Sequence, residues 1–153
     1  MDMRAATAED IPAIRTLVAE VGSEFGFEPE PEGADIDLYG AVDAYFAPGG
    51  LLRVLTHDDR VVGVVGVVPH SASDWELRKI YVAAEHRGGG HGRCLLDVAV
   101  AFAQIQGARK LVLQSSSKLG AALILYERAG FVTIESGMRS STCDVAMELT
   151  FEP

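Results

Sequence analysis

Trp75-Glu76-Leu77-Arg78-Lys79-Ile80-Tyr81-Val82, a short connector, Arg87-Gly88-Gly89-Gly90-His91-Gly92-Arg93, and then an apolar-periodic run from Cys94 to Ala103 form the stretch from which the rest of the chain can be read. A β-rich segment that breaks into glycines and restarts with helical periodicity leaves several backbone N–H groups without partners at a helix N-terminus. There the helix dipole also favours negative charge. The stretch therefore reads as an anion cradle suited to phosphate.

Two familiar phosphate loops fail on their residues. A Walker-type loop needs Lys and then Ser or Thr after its last glycine, whereas Gly92 is followed by Arg93-Cys94. A dinucleotide fingerprint counted from Gly88 and Gly90 meets Arg93 where its third glycine belongs. The following strand, Lys110-Leu111-Val112-Leu113-Gln114, ends without the acid that would hold a ribose.

Immediately before the cradle, strict alternation would point Trp75, Leu77, Lys79 and Tyr81 one way and Glu76, Arg78, Ile80 and Val82 the other, unless a bulge intervenes. Glu76 would then sit on a rigid element beside the loop. After the cradle, Leu95, Val98, Phe102 and Ile105 mark the buried face of a helix from Gly90 to Gln106, closed by Gly107. The neighbours of Cys94 favour its burial. Lys110 to Gln114 reads as a buried strand, Ser115-Ser116-Ser117-Lys118 as a connector, and Gly120 to Ala129 as a second helix ended by Gly130. Phe131 to Ser136 and Val145 to Phe151 read as closing strands.

Towards the N-terminus, Val61 to Val68 is β-branched and apolar on both faces, as a central strand requires. The turn His57-Asp58-Asp59-Arg60 joins it to Leu51 to Thr56. Met3 to Ala6 suits a first strand. Thr7 suits an N-cap before a helix with Ile11, Ile14, Val18 and Val21 on its buried stripe, ending at Gly22. Residues 23 to 34, with Pro29 and Pro31, read as a loop. A further amphipathic helix is expected from Asp35, stopped by Pro48-Gly49-Gly50.

A chain of 153 residues is expected to form one domain over residues 1–153, with a core large enough to need no disulfide. Its net charge of −9 argues against nucleic acid or an anionic membrane as the main partner. Cys94 and Cys143 lie far apart and read as reduced thiols, and the four histidines are too scattered for a metal site. No signal segment follows Met1, so a cytoplasmic location is expected.

Arg87-x-x-Gly90-x-Gly92 resembles the coenzyme A pyrophosphate loop of the GNAT superfamily of acetyl-coenzyme A-dependent N-acetyltransferases. Ala122-Leu123-Ile124-Leu125-Tyr126-Glu127-Arg128-Ala129-Gly130-Phe131 is similar to that family's second signature. The order of elements also follows the family. The resemblance implies an α/β fold with a mixed, mostly antiparallel twisted sheet of about six to seven strands and about four helices.

It further implies that main-chain groups of Ile80, Tyr81 and Val82 pair with the pantetheine arm. The pyrophosphate would lie on Arg87, Gly88, Gly89, Gly90, His91, Gly92 and Arg93. Tyr126 would be the general acid and Glu76 the base, with no metal. Against these roles stand plainer ones: Tyr126 as a packing residue, a Glu76–Arg78 ion pair, and solvated arginines. One position departs from the family. Leu119 stands where Asn is usual, so that contact is absent or comes from Ser115, Ser116 or Ser117.

The implied reaction moves an acetyl group from acetyl-CoA to a small amine or amino acid by direct attack in a ternary complex. A protein or peptide amine as acceptor, and a non-catalytic acetyl-CoA sensor, are the alternatives. A homodimer is compatible with the sequence.

Overall fold

The computed structural model describes residues 1–28, 43–46, 48–135 and 143–152. Among these, seven strands form one sheet in the order β1-β2-β3-β4-β5-β7-β6. They are β1 (Asp2–Ala5), β2 (Leu51–His57), β3 (Arg60–Pro69), β4 (Asp74–Val82), β5 (Lys110–Ser115), β6 (Val132–Ile134) and β7 (Val145–Thr150). The β4–β5 pair is parallel and the other neighbours are antiparallel. The helices are α1 (Ile11–Glu24), the single turn α2 (Asp43–Phe46), α3 (His91–Ile105) and α4 (Gly120–Arg128). This is the mixed, mostly antiparallel architecture expected. Most of the loop expected over 23–34 and most of the helix expected from Asp35 lie outside the described residues, as does Ser136. No helix among the described residues is long and apolar enough to cross a membrane.

The β2–β3 hairpin forms where the aspartates lie. Asp58 and Asp59 take φ values of 50° and 60°, the paired left-handed conformation that matches the twist of a two-residue hairpin turn. Along β3, Gly63 to Val68 are wholly interior, because strands flank both edges and helices pack the faces. Gly66 has no side chain for a structural reason: a Cβ there would overlap the ring of Tyr45, which is itself fully buried.

A bulge in β4 changes the alternation. The register passes from Val67↔Leu77 to Gly66↔Lys79, leaving Arg78 as the extra residue. Cross-strand partners share a face, so Lys79 and Tyr81 join Glu76, while Ile80 and Val82 join Trp75 and Leu77. The indole of Trp75 meets Phe102 of α3 edge-on at 5.8 Å, which fixes the Trp75 face as the one α3 covers. On α3 the deepest contacts are Leu95, Leu96, Ala99 and Ala103, whereas Ile105 is 81% exposed. The helix turns its alanines to the sheet for close approach, and Ile105 falls past the end of that stripe. Cys94 is also exposed, contrary to the expected burial.

At the N-terminus Thr7 is the N-cap, as expected, and Asp10 three residues on closes a capping box with it. The Asp10 carboxylate accepts from the Thr7 N–H at 2.7 Å and from both terminal nitrogens of Arg4 at 2.8 Å. The Arg4 hydrogen bonds, with help from Thr7, hold this carboxyl down to about 2, against the opposing effect of burial. Because the folded value is depressed, the stabilisation is complete above the ordinary 3.8 and disappears as pH falls through about 2. Arg4 is half-exposed, so solvent screens the pair. Asp10→Asn is therefore expected to cost about 1 kcal/mol at pH 7, with the difference from the parent shrinking as pH drops below about 4 in urea titrations.

Candidate functional site

The parallel pairing of β4 with β5 runs only from Asp74↔Lys110 to Leu77↔Leu113. Beyond that point the strands part, and a cleft of about 480 Å³ opens between them. Its walls come from residues 77–82 of β4, from Leu113 to Ser116, from the C-terminal half of α1 and from α4. Residues 79–82 keep β3 on one edge and have no β5 ladder on the other, so the main-chain groups of that edge face the cleft rather than a neighbouring strand. One is already occupied: the Val82 carbonyl accepts from Arg87 Nε at 3.0 Å.

At one end the cleft is floored by the glycine turn. Gly88 and Gly90 adopt φ of +85° and +84°, the left-handed region that glycine enters without strain. Gly90 is the N-cap of α3, so the amides of His91, Gly92 and Arg93 begin the helix without intrahelical partners. The Cys94 N–H closes the first bond, to the Gly90 carbonyl at 3.1 Å. Among the described residues, and apart from each glycine's chain neighbours, no heavy atom lies within 4 Å of where a Cβ on Gly88 or Gly90 would stand. The turn is open and its amides are free to bind an anion.

Of the residues expected at the site, Ile80, Tyr81, Val82, Arg87, Gly88, Gly90, His91, Gly92, Arg93, Ser115 and Tyr126 all border this cleft. Gly89 belongs to the same turn without forming part of the wall, its α-carbon facing the His91 ring. Both arginines have carboxylate partners that the spacing of residues did not reveal. Arg87 makes a two-pronged bond to Glu24 of α1 at 2.7 and 2.9 Å, and Arg93 bonds Asp97 one turn along α3 at 3.0 Å. The bare amides are therefore the ready anion donors here. The guanidinium groups would have to exchange partners to join them.

Tyr126 is 6% exposed, its ring tilted against Phe131 at 5.9 Å. Burial pushes its phenol up, and the neighbouring Tyr81 adds to the effect, so it stays protonated at neutral pH. Leu119 borders the cleft at the start of α4, as do Ser115 and Ser116. Ser117 is committed elsewhere: its N–H and hydroxyl both donate to Asp144 at 2.7 Å and lower that carboxyl. Ser115 and Ser116 are thus the serines left at the position of the departure. Cys143, which is in no disulfide, also reaches the cleft.

Glu76 lies apart from this wall. It borders a second hollow with His70, Lys110, Val112, Ile134, Glu135 and Glu148. The two hollows meet, sharing Leu113 and Gln114. The Glu76–Arg78 ion pair is present at 3.3 Å, and the same oxygen bonds His70 Nε2 at 2.8 Å. An anion seat and a protonated phenol thus border one gap in the sheet, and a carboxylate borders the hollow that adjoins it. That arrangement suits transfer of a group from a long phosphate-bearing carrier to an acceptor entering from the other side.

Comparisons with known proteins agree. The family model described as Acetyltransferase (GNAT) domain matches residues 48–133. The uncharacterized N-acetyltransferase YjgM of Escherichia coli (strain K12) is 30% identical over 153 aligned residues, covering 95% of this chain and 92% of the relative. An acetyltransferase of the GNAT family from Staphylococcus aureus Mu50 superposes with a TM-score of 0.90 at 17% identity, covering 99% of each chain. YncA from Salmonella typhimurium, solved with its cofactor acetyl-CoA, gives 0.79 at 20% identity, covering all of this chain and 95% of that one.

Proposed function

The chain belongs to the GNAT acetyltransferase family, and on that footing we propose that it transfers an acetyl group from acetyl-CoA to the amine of a small molecule or amino acid, by direct attack within a ternary complex. The observation that supports this reading best is the coincidence of the parted strands with the glycine turn. One cleft offers a strand edge for the pantetheine arm and helix-start amides for the diphosphate. Residues Ile80 to Val82 hold the arm, main-chain N–H groups near Ile80 polarise the thioester carbonyl, and Arg87 to Arg93 hold the phosphates.

The acceptor enters through the second hollow and meets the thioester where Leu113 and Gln114 border both spaces. An alkylammonium ordinarily holds its proton to about pH 10, so it must lose one before its lone pair can attack. Glu76 takes that proton. The electron pair released from the collapsing tetrahedral carbon leaves with sulfur, and Tyr126 protonates the departing thiolate.

Acetyl transfer scanned over free amines, amino acids and basic peptides tests the reading. Turnover of free amines or amino acids supports it. Turnover of basic peptides alone moves the acceptor to a protein amine, and acetyl-CoA binding without any transfer makes the chain a sensor.

A further inference from the structure

Glu76 is almost cut off from water. Its side chain is 4% exposed, and Oε1 lies within hydrogen-bond distance of two side chains, His70 Nε2 at 2.8 Å and Arg78 Nε at 3.3 Å. A base buried this deeply can accept a proton once, but it must pass that proton to solvent before the next turnover. Arg78 offers no route, because a guanidinium has no acceptor. His70 does. Its side chain is 49% exposed, so the imidazole touches Glu76 on one side and bulk water on the other.

The loop between β3 and β4 holds His70 in that position. The N–H groups of His70 and Ser71 both donate to the Asp74 carbonyl, at 2.8 and 3.2 Å, and Ser71 Oγ accepts from the Asp74 N–H at 3.0 Å. A segment tied back on itself in this way keeps the ring over the carboxylate. The other charged groups bordering the hollow are Lys110 of β5, which pairs with Asp74 at 3.8 Å, Glu148 of β7 and Glu135 after β6.

We propose that His70 is the proton outlet of the acceptor site, carrying to solvent the proton that Glu76 removes from the incoming ammonium; the inference rests on the acetyltransferase reading above. In the step, the ammonium N–H bond breaks, its proton moves to the Glu76 carboxylate, and the nitrogen lone pair attacks the thioester carbonyl. The proton then crosses the 2.8 Å hydrogen bond to Nε2 of the ring in its Nδ1–H form. The imidazolium loses its Nδ1 proton to water, and the exposed ring regains its starting tautomer by exchange with solvent.

His70→Gln separates this role from mere support. A glutamine side chain can hydrogen-bond Glu76 in place of Nε2, but it cannot carry a proton. Steady-state rates would be measured with acetyl-CoA and a panel of n-butylamine, putrescine, glycine, lysine and a lysine-rich peptide, with and without added imidazole. The expected result is a kcat about tenfold or more lower for the best acceptor. The KM for acetyl-CoA should stay within about twofold, and added imidazole should restore turnover in proportion to its concentration.

A kcat within about twofold of the parent would overturn the proposal, as would a lowered kcat that imidazole leaves untouched. If the His70→Gln protein fails to bind acetyl-CoA, His70→Ala is read by the same imidazole criterion, since it vacates the space the added ring would fill. If the unaltered chain acetylates none of the panel, the acetyltransferase reading itself fails, which is a separate result.

Discussion

Replacing Tyr126 with Phe is expected to lower kcat by about 100-fold, with acetyl-CoA affinity changed by less than about twofold. The prediction follows from what the substitution keeps. Phe retains the ring, its contact with Phe131 and its burial, and removes only the oxygen. If Tyr126 merely filled space, stability and turnover would both survive. Burial also answers an energetic objection, that a phenol this reluctant to ionise makes a poor acid. A thiolate released beside that buried phenol also loses solvation, so its affinity for a proton rises as well. Rapid-quench measurement of single-turnover transfer would isolate the step. An unchanged rate would remove Tyr126 from the mechanism and favour a chain that binds acetyl-CoA without needing an acid.

Gly90→Asp should weaken acetyl-CoA binding by about 100-fold, near 3 kcal/mol, because it sets a carboxylate where the diphosphate is proposed to sit. Most residues would be strained at φ +84°, but aspartate tolerates this region better than most, and its Cβ would stand in open space. The fold should therefore lose about 1 kcal/mol or less. Gly90→Ala carries similar backbone strain without charge and should bind within about fivefold of the parent. Equal affinities for the parent and the Gly90→Asp protein, by calorimetry, would move the phosphate site elsewhere.

What could be read beforehand was mostly local in the chain. The glycine turn, the aspartate hairpin, the apolar run of β3 and the start of α3 at the glycines each declare themselves within a few residues, because backbone sterics and hydrophobic period act at that range. The place where β4 parts from β5 is given by the register of that pair, which ends at Leu77↔Leu113. What escaped was non-local. The extra residue at Arg78 exists only in relation to Gly66 and Val67 across the pair, so alternation alone put Lys79 and Tyr81 on the wrong face. The Glu24–Arg87 bridge joins residues 63 apart, and the Arg93–Asp97 pair shows only once the helix that sets its spacing is drawn.

The His70–Glu76 bond illustrates the same limit at short range. Six residues separate the two, but it is the folded-back loop at Ser71 and Asp74 that brings the ring over the carboxylate. Nothing in the composition of that loop announces it. Cys94 and Ile105 were misread for a related reason: an apolar stripe on a helix shows that one face is buried, while its rotation is set by which side chains fit the sheet. Alanines 99 and 103 take the closest positions.

The account stands most directly on where the diphosphate binds, and titration of acetyl-CoA into 15N-labelled protein tests this. The amide signals of Gly88 through Arg93 should move together and saturate at one equivalent, with those of Ile80 to Val82 following the pantetheine arm. If those signals stay fixed while others report binding, or if no signal moves at all, the glycine turn does not hold the coenzyme and the assignment of the cleft is wrong.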